Sequence, residues 1–141
     1  MAWNKDNWGV HPDYELQTLY RSKPYQGCDP KKADILVIGK DANFPEHLSS
    51  KEKGLIYLFL SDPNLFWKLY PRIFHPFQIK GLFNNQRYYN KIGIPALTDN
   101  HNCKKICAVD LLSFPTYGSS GNSHLYKYHL GISEKHTQWL N

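Results

Sequence analysis

The run Leu36-Val37-Ile38-Gly39-Lys40-Asp41-Ala42-Asn43-Phe44-Pro45 carries an apolar stretch straight into a polar turn. Its chemistry-bearing members are the Asp41 carboxylate, the Asn43 amide, the Lys40 ammonium and the Phe44 ring. A carboxylate so placed can steady a developing cation and orient a water for attack. Lys40 suits a phosphate, and the Phe44 ring suits a planar base, although phenylalanine at such a position is more often core. Asp41 has a second reading, as a turn or N-cap residue. A second carboxylate, Asp110, closes the apolar run that starts at Ile106 and precedes a Pro/Gly/Ser stretch. It can read a ligand, pair with a lysine or bond to backbone.

Two strands must present these groups. "ADILVIG" is nearly all apolar and rich in β-branched residues, which predicts a strand buried on both faces. "KKICAVDLL" predicts a second buried strand. Elsewhere, Pro12 opens a helix with an apolar stripe of Leu16, Leu19 and Tyr20. "SKPYQGCDPKK" breaks it, and "LSSKEKGLIYLFLSDP" reads as a polar loop, an apolar segment and a stop. Asp62-Pro63 starts a helix whose body is "NLFWKLY". "PRIFHPFQIKG" holds too much proline for one helix, "NNQRYYNKIGI" predicts a short helix ending at Gly93, and "HLYKYHLG" another ending at Gly131. Strands alternating with helices predict a single α/β domain over 1–141, with a short parallel sheet flanked by helices. Ligands of such sheets gather at the carboxyl ends of the strands. Gly39-Lys40-Asp41 and Asp110 both fall there.

Composition narrows the setting. Seventeen basic and twelve acidic residues give a net charge of +5, which fits a polyanionic partner such as DNA. Aromatic residues make up 15% of the chain, enough to serve both core and stacking surfaces. The three cysteines, Cys28, Cys103 and Cys107, form neither a disulfide framework nor a four-thiolate metal set, which points to a reducing compartment. Cys103 and Cys107 could hold a metal with His101, but Cys107 lies in an apolar run where burial is the simpler reading. A nucleotide-binding α/β protein is a further option, but "GKDANF" lacks the glycines of a phosphate loop. No metal and no other cofactor is expected. The N-terminus has no apolar signal core, and the longest apolar run is the six residues Leu55 to Leu60. A cytoplasmic protein that does not span a membrane is expected.

"VIGKDANFP" and "ICAVDLLSFPTYG" resemble the two site motifs of the uracil-DNA glycosylase superfamily, and "FHPF" at 74–77 resembles a stretch between them in bacterial members. The likeness runs over residues 34–118. It implies a uracil-DNA glycosylase-like fold, and a DNA glycosylase that hydrolyses the N-glycosidic bond of uracil or another deaminated base in base-excision repair. Asp41 then stands where the family has its water-activating carboxylate. Gly39, Lys40, Ala42, Asn43 and Phe44 line the base site, and Asp110 stands where the family usually has a base-reading Asn. Asn43 replaces a Tyr that excludes thymine in the best-known branch.

A late His-Pro-Ser-like loop has no counterpart after residue 118, so the chain is expected to be a truncated or unusually small member. The competing expectation is a non-catalytic glycosylase-like module that binds nucleic acid or a protein. His75, before a proline, reads as a structural loop histidine.

Overall fold

The first helix begins where its cap dictates. Asp13 accepts a hydrogen bond from the Leu16 N–H at 3.0 Å, and α1 runs Tyr14–Ser22. Leu16 and Tyr20, four residues apart and therefore on one face, are both fully buried. The structure is a computed structural model and describes residues 10–39, 42–83, 88–94, 97, 102–112 and 114–117. The helix expected near residue 124 and His101 lie outside the described residues.

The remaining described strands and α-helices are, in chain order, β1 (Gln26–Gly27), β2 (Ile35–Gly39), β3 (Ala42–Asn43), α2 (Ser50–Ser61), α3 (Pro63–Leu69), α4 (Tyr88–Lys91), β4 (Ile106–Asp110) and β5 (Pro115–Thr116), with short 3-10 turns at Pro30–Lys32, Pro76–Gln78 and Cys103–Lys105. The protein is thus mixed α/β, with small sheets and short helices. α2 replaces the loop and apolar segment expected there. Ser49 and Glu52 exchange backbone bonds at 3.2 and 2.9 Å in a capping box. That cap and the run after it outweigh Gly54, which costs a helix about 1 kcal/mol. α3 starts at Pro63 behind its Asp62 cap, as expected, and the turn after α4 is closed by Gly93 at φ 85°.

One sheet has the order β1-β4-β2. Asp34 N–H donates to the Lys105 carbonyl at the start of β2 and β4, and Leu111 N–H donates to the Gly39 carbonyl at their end. Starts lie by starts and ends by ends, so β2 and β4 run the same way. β1 pairs with β4 antiparallel, Gln26 opposite Ala108 and Gly27 opposite Cys107. The sheet is therefore mixed, not wholly parallel. The Pro/Gly-rich break had concealed β1.

β4 is buried at all five positions. β2 is not: Leu36 is 47% and Ile38 59% exposed, while Ile35 and Val37 are partly covered. The expectation of a strand buried on both faces is corrected. β2 stands at an edge of the described sheet, and a continuous apolar run does not reveal which face is covered.

The described residues form two compact units. Among the described residues, the first takes in 10–24, 38–39, 42–47, 109–112 and 114–117, and the second 25–37, 48–83, 88–94, 97 and 102–108. In the first, α1 packs against β5, and β3 pairs with β5 in parallel. In the second, α2 packs against α3 and β1, and the Phe59 ring meets Phe66, Trp67 and Phe74 edge-on at 5.2 to 6.2 Å. No described helix is long and apolar enough to cross a membrane.

Candidate functional site

The residues singled out at the strand ends belong to the first unit. Gly39 closes β2, and its carbonyl accepts the Leu111 N–H at 3.1 Å. That bond ties the end of β2 to the residue that follows Asp110. Lys40 and Asp41 lie outside the described residues.

The chain past the turn is held by β5. Ala42 pairs with Pro115 and Asn43 with Thr116. The Asn43 side-chain amide donates to the Thr116 hydroxyl at 3.2 Å, and the Phe44 N–H donates to the Thr116 carbonyl at 3.0 Å. Ala42 and Phe44 are buried, Phe44 at 1% exposure, and Asn43 is half-buried. Alternation along this short strand explains the pattern.

His11 fastens the same segment from the other side. Its Nδ1 accepts the Asp13 N–H at 3.1 Å, so Nε2 carries the proton and donates to the Pro45 carbonyl at 2.8 Å. The ring is 1% exposed and edge-on to Phe44 and Tyr117, with centroids at 6.5 and 6.1 Å. The His11 backbone N–H donates to the Pro115 carbonyl at 2.9 Å. Both ring nitrogens are thus engaged by backbone, which suits a structural clamp rather than a proton carrier.

Asp110 ends β4 at 7% exposure, and its Oδ2 accepts the Tyr20 hydroxyl at 3.0 Å. A buried carboxylate requires such donors, since an unpaired charge is costly in a low dielectric. Tyr20 is itself fully buried on the core face of α1. The structure therefore brings Gly39, Ala42, Asn43, Phe44 and Asp110 into one unit, framed by His11, Tyr20 and Thr116. Sequence reasoning had taken Tyr20 for part of an apolar stripe and Thr116 for loop. The available signal was the Tyr20 hydroxyl, because a tyrosine in a buried stripe needs a polar partner.

His75 of the "FHPF" stretch belongs to the second unit. It is 1% exposed, stacks on Tyr89 at 4.2 Å and accepts the Phe77 N–H on Nδ1 at 3.1 Å. Its Nε2 then donates to Gln26 Oε1 at 2.7 Å, and the Gln26 amide donates to the Tyr89 hydroxyl at 3.2 Å. Burial drives the His75 pKa well down, so the ring is neutral. Cys103 and Cys107 are buried, and among the described residues no group of three or more His, Cys, Asp or Glu is placed to hold a metal.

A scan against protein-family models finds no match, and neither the curated proteins nor the solved structures yield one.

Proposed function

We propose that the chain is a uracil-DNA glycosylase-like DNA glycosylase, which hydrolyses the N-glycosidic bond of uracil or another deaminated base. The observation that carries this reading is the Leu111 to Gly39 bond at 3.1 Å. Through it the end of β2, two residues before Asp41 in the chain, lies beside the end of β4, where Asp110 is buried. Two carboxylate-bearing segments at the same end of neighbouring strands suit a site that must handle a charged sugar and a base together.

In this reading the target nucleotide leaves the stack and its base enters a pocket. Breaking the glycosidic bond leaves positive charge on the sugar and negative charge on the base. Asp41 steadies the sugar cation and orients the water that attacks it. Asp110, Asn43 and Phe44 belong to the base side. Lys40 and the net charge of +5 serve the phosphates. The protein would act on cellular DNA in the cytoplasm, with no metal or other cofactor.

The test is release of abasic sites from duplexes bearing one uracil or hypoxanthine. Wild-type release that is lost in Asp41→Asn supports the assignment. Duplex binding without any release would identify the non-catalytic module instead.

A further inference from the structure

Two short turns of the second unit repeat one pattern. In Asp29-Pro30-Lys31-Lys32, Asp29 Oδ1 accepts the Lys31 N–H at 2.9 Å and the Asp29 carbonyl accepts the Lys32 N–H at 2.9 Å. In Asn102-Cys103-Lys104-Lys105, Asn102 Oδ1 accepts the Lys104 N–H at 2.9 Å and the Asn102 carbonyl accepts the Lys105 N–H at 2.8 Å. Each turn leads into a strand, β2 or β4, and the Asp34 N–H donates to the Lys105 carbonyl at 2.8 Å. Neighbouring strands lie about 5 Å apart, so the two turns stand side by side. The Asp29 and Asn102 side chains fix both backbones. Cys103 is buried and Pro30 partly covered, while all four lysines are exposed.

The charges around these turns do not balance. Burial raises the pKa of the Cys28 thiol, Lys105 and Lys32 lower it, and Asp29 and Asp34 raise it, so these charges lie around one atom. Four ammoniums against two carboxylates leave the face positive. Among the described residues none of the four ammoniums is in an ion pair. An acidic protein segment would need an apolar anchor beside the charges, and neither turn has an exposed large apolar side chain. Lysine is also a point charge, without the planar fork that reads a single carboxylate. A row of phosphates requires no more than this. We propose that the paired lysine turns, Lys31-Lys32 and Lys104-Lys105, form a binding surface for the phosphate backbone of DNA at the starts of β2 and β4. The proposal goes beyond the glycosylase reading and does not depend on it, because that reading uses the other ends of these strands.

The experiment measures the affinity of the full chain for a short undamaged duplex at 50 and 200 mM salt. Wild type is compared with a variant carrying Lys31→Gln, Lys32→Gln, Lys104→Gln and Lys105→Gln, and with one carrying Arg at the same four positions. A control replaces four other exposed lysines, Lys51, Lys53, Lys80 and Lys91, by Gln. Melting curves check folding, and if the fourfold Gln variant melts early, each lysine pair is changed alone and should carry about half the effect. Two to four phosphate contacts, each worth about 0.9 in the logarithmic salt slope, set the size of the change. The affinity lost across the salt step should be about 10- to 150-fold smaller in the Gln variant than in wild type. The Arg variant should keep the wild-type response, and the control should alter it by less than about threefold. A Gln variant with the wild-type response, or a control that changes as much as the Gln variant, overturns the proposal. So does a wild type that leaves the duplex unbound. Loss of polyglutamate binding in the Gln variant with an unchanged DNA response would assign the surface to an acidic protein and overturn it as well. Base release is not read here, so a wild type that releases no base yet shows this salt response removes the glycosylase reading alone.

Discussion

The imidazole of His75 and the amide of Gln26 meet at 2.7 Å inside an aromatic cluster of the second unit. Both ring nitrogens are occupied, Nδ1 by the Phe77 N–H and Nε2 by Gln26. A proton added to Nδ1 would break the Phe77 bond and place a charge among Phe59, Phe77 and Tyr89.

Acid should therefore destabilise the fold. Burial pushes the folded-state pKa of His75 well below its ordinary 6.5. Above 6.5 neither state binds the proton, and the neutral ring's stability is fully present. Below it the unfolded chain takes up a proton that the folded chain refuses, so stability falls until the pH reaches the folded pKa. The slope from this residue approaches about 1.4 kcal/mol per pH unit. Urea titrations at pH 7 and 5.5 check it, with His75→Gln expected to show a shallower decline than wild type.

Gly27→Ala should weaken the second unit for a backbone reason. Gly27 sits at φ 91°, and a Cβ there would lie 2.6 Å from the Ile106 carbonyl oxygen and 2.7 Å from the Phe74 ring. The conformation alone costs roughly 1–2 kcal/mol and the crowding about 1–3 more. A wild-type melting point in the variant would mean that β1 does not pair with β4 as described.

Binding to a short oligonucleotide should weaken steeply with added salt, because displaced counterions drive phosphate binding. Titrations at 50 and 200 mM salt suffice, and a flat response would argue that the excess of lysine and arginine serves something other than DNA.

Asp41→Asn separates a catalytic carboxylate from a capping one. Loss of a charge opposite a developing cation should slow base release by about 10² to 10³ while fold and DNA affinity persist. A cap would tolerate the change, since Asn caps nearly as well as Asp. Single-turnover rates alongside melting curves decide between them.

Local signals made part of this architecture legible. Pro12 and Asp62-Pro63 marked helix starts, and β2 and β4 were visible as apolar β-branched runs. α2 was hidden because Gly54 masks a helix that its capping box secures. β1 was hidden because a two-residue strand between Pro24 and Pro30 exists only through its partner β4. The covered face of β2 was equally unreadable, since Leu36 and Ile38 are as apolar as Ile35 and Val37. At the site, the polar residues at the ends of β2 and β4 were evident, but the bond from Tyr20 to Asp110 was not. A contact across ninety positions is written in the packing of α1, not in any spacing along the chain.

The two-row ladder of β3 and β5 has a kinetic corollary. The Phe44 and His11 amides both end on β5, at the Thr116 and Pro115 carbonyls. Loosening β5 would release both protons to solvent in one event, so their hydrogen-exchange rates should rise and fall together. A ladder this brief offers little cooperative resistance to opening. The segment that carries Asn43 and Phe44 would then breathe on a faster clock than buried β4, which supplies Asp110.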